Sequence, residues 1–151
     1  AAGQLDVDQE KYSMLDRTPA SGNLPFARAQ GMAFLAYSPL AQGLLTGAIG
    51  PDRIFGKDDL RHGNPRFSVK NRKQVARLLD AFRPVAAKHG ITLGQLAIAW
   101  TFHQPGCTHA LIGARTPEQA RENAKAGAVV LDGGDLAVMQ KGLADFGGAC
   151  I

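Results

Sequence analysis

The chain has little cysteine: two residues, Cys107 and Cys150, among 151. Two thiols are too few for a disulfide framework, and their separation does not match a metal-site spacing. They read as a pair of reduced thiols, which predicts a cytoplasmic protein. Long apolar runs are missing as well. None approaches the roughly 20 residues that cross a bilayer, so no membrane partner is expected. The first residues, Ala1-Ala-Gly-Gln-Leu-Asp6, lack the basic start and apolar core of a secretory signal. They also lack an initiator methionine, and this start reads as processed or trimmed from a longer chain. Blocks of one charge are absent too. Lys and Arg give a net charge of +4 but are scattered, with no run longer than Asn71-Arg-Lys73. Without a basic stripe or a recognised motif, no nucleic-acid partner is expected.

What remains is an ordinary globular composition, 45% hydrophobic and 20% charged, in a length that makes one domain over 1–151. Leu5 to Tyr12 starts with apolar–polar alternation, the mark of a strand. Leu24 to Gln30 reads as a short helix closed by Gly31, and Met32 to Ala36 as a strand buried on both faces. Gly43 to Phe67 has no period and is expected to be functional or mobile. Ser68 caps a helix to about His89, with Pro84 set to kink or split it. Thr92 opens another, with Leu93, Leu96, Ala97 and Trp100 as its buried stripe. His109 to Ile112 is a third strand. Thr116-Pro-Glu-Gln119 is a helix start with Thr at the N-cap and Pro at the first position. Asp132 caps the last helix, and Gly147 to Ile151 reads as a frayed tail. This alternation implies an α/β fold with parallel strands and crossover helices. Three strands cannot close a barrel, so the segment reads as part of something larger.

Two strand ends carry the chemistry. Ala36-Tyr-Ser-Pro-Leu-Ala-Gln-Gly-Leu-Leu-Thr-Gly47 runs from a strand into a hydroxyl, glycines and free backbone N–H groups. Leu111-Ile-Gly-Ala-Arg-Thr-Pro-Glu-Gln119 runs from a strand into a helix N-terminus beside an arginine. N–H groups, glycine and helix ends attract anions, so each unit suits a phosphorylated ligand. On residue type alone other readings stay open. Gln9 fits a polar strand-end residue, Tyr37 a buried strand-end tyrosine, and Arg115 a solvated loop arginine.

Five segments in order, Gln9 to Arg17, Ala36 to Gly47, Arg61 to Phe67, Leu96 to Trp100 and Ile112 to Asn123, resemble the C-terminal half of aldo-keto reductases. The resemblance spans about residues 5 to 146 and is closer to the bacterial and potassium-channel-β-like branch. It implies the last three strands of a TIM (β/α)8 barrel, a fold that usually needs about 250 residues. It implies an NADP-dependent oxidoreductase that reduces carbonyl compounds, or alternatively a non-catalytic nicotinamide-nucleotide-binding regulatory module. Gln9 would bind the nicotinamide carboxamide at a strand end and Tyr37 would stack on the nicotinamide ring. Ser38, Leu40, Gln42 and Gly43 would hold the pyrophosphate. Gly113, Arg115, Gln119, Glu122 and Asn123 would line the adenosine end, with Arg115 as the ligand of a 2′-phosphate. The loop to Phe67 would fold over the cofactor and bring Arg53, Lys57, Arg61 and Arg66 to its phosphates. The family's catalytic tetrad lies in the first half of the barrel. No catalytic residue is expected here, no His has a carboxylate at motif spacing, and this segment alone should be inactive. Exposed strand edges imply a homo-oligomer or a missing N-terminal half.

Overall fold

The computed structural model describes residues 3–146; the expected frayed tail and Cys150 lie outside the described residues. Three parallel strands, β1 (Val7–Lys11), β2 (Ala33–Tyr37) and β3 (His109–Leu111), form one sheet in the order β1-β2-β3. Five helices connect and cover them: α1 (Asn23–Ala29), α2 (Val69–Lys88), α3 (Leu93–Phe102), α4 (Pro117–Lys125) and α5 (Gly133–Phe146). Among the described residues no helix is long and apolar enough to cross a membrane.

The register fixes the two faces of the sheet. Val7 pairs with Ala33, Gln9 with Leu35 and Lys11 with Tyr37, while Leu35 and Tyr37 pair with His109 and Leu111. Side chains alternate along a strand, so these residues share one face. Phe34 and Ala36 point the other way and are fully buried. Beneath them the Tyr12 ring stacks on Trp100 at 5.8 Å and meets Phe34 edge-on at 6.3 Å. The first face is bare: Val7 is 51% exposed, Tyr37 40% and Leu111 39%. The expectation that β2 is buried on both faces therefore fails. A five-residue apolar run says that a strand wants cover, but only the sheet shows which side the helices cover.

Two other expectations change. α3 is buried all round, from Leu93 through Thr101, not along one stripe. It lies between β3, α2, α4 and the turn Ala41–Thr46, so no side of it reaches water. Its start is a full capping box: the Thr92 hydroxyl accepts from the Gln95 N–H at 3.2 Å, and the Gln95 side chain accepts from the Thr92 N–H at 3.0 Å. α2 runs unbroken through Pro84. Pro84 is on the solvent side, where water can satisfy the carbonyl its ring leaves unpaired.

The stretch after Gly47 is irregular but anchored. Buried Arg72 of α2 donates through Nη1 to the carbonyls of Gly50 (2.8 Å) and Arg53 (2.7 Å). Phe55 packs edge-on against Phe67 at 5.6 Å. At the far end Arg66 grips Asp16 through both guanidinium nitrogens, and Lys11 joins that carboxylate at 2.9 Å. Burial pushes the Asp16 carboxyl up, but the bonds and charges of Arg66 and Lys11 outweigh it and hold it below its ordinary value. The loop is thus clamped at α2 and at the end of β1.

Candidate functional site

A cleft of about 1210 Å³ opens where β2 and β3 end. Ser38, Leu40, Gln42, Gly43 and Thr46 line it from the β2 side, and Gly113, Arg115, Gln119, Glu122 and Asn123 from the β3 side. Segments about seventy residues apart in sequence meet because β2 and β3 are parallel neighbours, so their following loops leave the sheet on one edge. That is where ligands bind in parallel α/β sheets.

The β2 turn has an unusual backbone. Ser38, Ala41 and Gln42 have φ of 58°, 49° and 56°, and they are the only non-glycine residues with positive φ among those described. Gly43 follows at 96°. Left-handed backbone costs a non-glycine residue about 1–3 kcal/mol, and clusters of it mark functional loops. The turn closes on itself: the Gly43 N–H donates to the Leu40 carbonyl at 2.9 Å. The expectation that Gly43 offers its N–H to a ligand is therefore corrected. The N–H groups of Leu40 and Gln42 have no partner among the described residues and can be donated to an anion. Gly43 also lies against Ile49, where a Cβ would come within 3.2 Å of its side chain.

On the β3 side several expected ligands also hold the fold. The Gln119 amide oxygen accepts from the Arg115 N–H at 2.8 Å, while the Thr116 hydroxyl accepts from the Gln119 N–H at 3.3 Å. Only the Gln119 NH2 group is left for a ligand. The Glu122 carboxylate accepts from the Thr92 hydroxyl at 3.2 Å, and its carbonyl accepts from Gln95 at 2.9 Å. Glu122 thereby ties α4 to the start of α3. The Asn123 amide reaches the Gly113 carbonyl at 3.5 Å. The Arg115 guanidinium makes no ion pair among the described residues.

Tyr37 and Gln9 do not line the cleft. They lie on the bare sheet face, beside the Leu111 that does line it. Gln9 is the middle residue of β1, not its end. Of the loop cations only Arg61 lines the cleft. Arg66 is buried and bound to Asp16, which corrects the expectation that it reaches a phosphate.

Sequence reasoning missed Asp59. Its carboxylate accepts from Arg61 at Nε (2.8 Å), Nη2 (2.6 Å) and the backbone N–H (3.0 Å). These bonds hold its carboxyl far below the usual carboxylate range, with the Arg115 charge contributing. The short spacing Asp59-Leu-Arg61 was a visible signal. Also missed was His89, whose Nε2 lies 2.7 Å from buried Asp135, a partner too distant in sequence for any motif. That pair is outside the cleft.

The cleft holds Asp58, Asp59 and Glu122 but no Tyr, His, Lys or Cys among its described lining residues. Tyr12 is buried in the core, and desolvation pushes its hydroxyl up to about 12. Among the described residues no cluster of His, Cys, Asp and Glu could hold a metal ion. The site offers anion-binding N–H groups, two arginines and a hydrogen-bonding rim, but no poised proton donor.

Comparison with known proteins agrees with this geometry. The model of the Aldo/keto reductase family matches residues 3–143. The chain is 38% identical over 139 residues to the "NADH-specific methylglyoxal reductase" of Escherichia coli, covering 92% of this chain and 42% of that protein. It is 33% identical over 141 residues to a "Probable voltage-gated potassium channel subunit beta" of Arabidopsis thaliana, covering 83% and 41%. Among solved structures, a glycerol dehydrogenase from Gluconobacter oxydans superposes with a TM-score of 0.85 at 31% identity, covering 93% of this chain and 42% of the other. The chain therefore spans about two fifths of the length of these relatives. The chain belongs to the aldo/keto reductase family.

Proposed function

We propose that this chain is the cofactor-holding part of a nicotinamide-dependent carbonyl reductase, built from the last three strands of an eight-stranded (β/α) barrel. One observation carries the reading: the left-handed turn after β2 and the α4 N-terminus after β3 line a single cleft of dinucleotide size. The bare sheet face supports completion by further strands, either the rest of the barrel or a second copy.

The donor set fits a dinucleotide. The Ser38 hydroxyl and the N–H groups of Leu40 and Gln42 bind the pyrophosphate, with Gly43 shaping the turn that presents them. Gly113 keeps the end of β3 uncrowded. Arg115, the Gln119 NH2 group, Glu122 and Asn123 serve the adenosine. Tyr37 and Gln9, on the sheet face beside the cleft, serve the nicotinamide by stacking and by amide hydrogen bonds. When bound, the cofactor supplies a hydride for the carbonyl carbon of a small aldehyde or ketone. The chain's own part is to fix the ring face and exclude water. Arg115 supports NADP as the cofactor, whereas the relative from Escherichia coli supports NADH.

Proton delivery falls outside these residues, since the cleft has no Tyr, His, Lys or Cys among its described lining and Arg61 holds the Asp59 carboxyl far below the usual carboxylate range. The purified chain is thus expected to quench or enhance reduced-nicotinamide fluorescence on binding, yet to turn over no carbonyl compound. Failure of both NADH and NADPH to bind would sink the reading. The likeness to a channel β subunit favours a second one, a regulatory nucleotide-binding module. Nucleotide binding without turnover by the complete barrel would select it.

A further inference from the structure

We propose that the cavity between α1 and the turn after α3 is a second ligand site, for a small, mostly apolar carboxylic acid. It lies on the helix-covered side of the sheet, away from the bare face. It shares no lining residue with the cleft where β2 and β3 end, so it does not rest on the dinucleotide reading. Its volume of about 520 Å³ is ample for a small organic molecule. The chain beyond β1 brings Tyr12 to it, α1 brings Leu24, Pro25 and Arg28, and the turn after α3 brings Gln104 and Pro105. Gly106 makes this meeting possible. With φ of 97° it lets the turn lie so close to α1 that a Cβ would stand 2.6 Å from the Leu24 carbonyl oxygen.

Two polar groups of the lining lack partners. Tyr12 is 2% exposed, and its hydroxyl makes no hydrogen bond among the described residues. The one fully enclosed side-chain nitrogen or oxygen without a partner among those residues is Arg72 Nε. The Tyr12 hydroxyl is therefore not sealed in, and the space it opens to is the cavity that Tyr12 lines. A hydroxyl held out of water without a partner is costly, and a ligand oxygen relieves that cost. Burial keeps this hydroxyl protonated, and thus a donor, up to about pH 12, and the Arg17 charge reaches it as well. Arg28 is the one charged residue of the lining, and its guanidinium has no ion pair among the described residues. Gln104 donates to the Trp100 carbonyl at 3.0 Å, which fixes it in the wall. A lone cation and a hydroxyl donor in an otherwise apolar wall suit a single negative charge carried by oxygen. Leu24, Pro25, Pro105 and the Tyr12 ring cover the rest of such a ligand. A phosphate dianion fits worse, because one arginine leaves part of its charge unmatched beside apolar walls.

Trp100 is the single tryptophan, and its ring stacks on Tyr12 at 5.8 Å, so its emission reports on this cavity. The test titrates the purified chain with 4-phenylbutyrate and with the uncharged amide of that acid, read by Trp100 emission and by calorimetry. The acid is expected to saturate and to bind at least tenfold more tightly than the amide. Arg28→Gln should remove that difference. Ala29→Phe fills the cavity from an exposed helix position and should abolish binding of both probes while the circular dichroism stays native. Tyr12→Phe should weaken the acid at least threefold without lowering the thermal midpoint of the free protein, since the hydroxyl has no bond to lose. Saturating NADPH should leave the acid's affinity unchanged in calorimetry. Absence of saturable binding overturns the proposal, as do equal affinities for acid and amide. So does displacement of the acid by NADPH, an unchanged preference in a folded Arg28→Gln, or a Tyr12→Phe protein that binds the acid as tightly as the native one.

Discussion

Removing the Asp16 carboxylate should cost this fold about 3–5 kcal/mol. The figure follows from what Asp59's counterpart at the other end of the loop does. Asp16 pairs with Arg66 in a bidentate arrangement, accepts from Lys11 at 2.9 Å and from the Ser13 hydroxyl at 3.0 Å. The Arg66 side chain is only 10% exposed and that of Asp16 only 19%, so water screens the pair little. Asp16→Ala leaves a buried guanidinium without its counter-charge, and breaking a buried pair from one side typically costs about 3–5 kcal/mol. That is a large fraction of the roughly 5–15 kcal/mol that a domain has. With a urea slope of about 2 kcal/mol/M, the unfolding midpoint should fall by about 1.5–2.5 M. Arg66→Met should cost less, because Lys11 and Ser13 still hold Asp16, and the double variant should cost less than the sum. The sign with pH follows as well. The Asp16 pKa is depressed in the fold, so its contribution is full above the unfolded value and is lost as pH falls below it. The stability gap between native and Asp16→Ala protein should therefore shrink in acid. A midpoint shift below about 0.5 M at neutral pH, where about 1 kcal/mol is the ceiling for surface pairs, would refute the buried-anchor argument.

Gly106→Ala should destabilise by several kcal/mol, read as a fall in thermal midpoint. Gly106 has φ of 97°, and a Cβ there would stand 2.6 Å from the Leu24 carbonyl oxygen, so β3 would be pushed off α1. Asp135 predicts the acid limit. Burial pushes its carboxyl up, but bonds from Lys88, His89 and the Asp132 N–H outweigh this and hold it at about 2 against an ordinary 3.8. Its contribution should be complete above about pH 4 and disappear as pH falls toward 2. Unfolding of Asp135→Asn, followed by circular dichroism, should lack that step.

Much of the fold was legible because its signals are local. Thr92 with Gln95, Thr116 with Pro117, Ser68 and Gly31 mark helix ends through bonds within a few residues, and the structure places the ends there. The Ala36–Gly47 and Leu111–Gln119 units were recognisable for the same reason. Pairings across the chain were not. The Asp16–Arg66 anchor spans 50 residues, and the His89–Asp135 contact spans 46.

By itself, the sequence determined the element order, the parallel sheet and the two loops that meet at its edge, because periodicity and capping act over one or two turns of chain. Only the tertiary structure decided which sheet face is bare, which loop arginine is free to meet a ligand, and that Gly43 keeps its N–H for the turn. Above all, it showed that a chain of net positive charge lines its cleft with an excess of carboxylates. Charge adds up over distance in space, and the sequence does not contain those distances until the chain has folded.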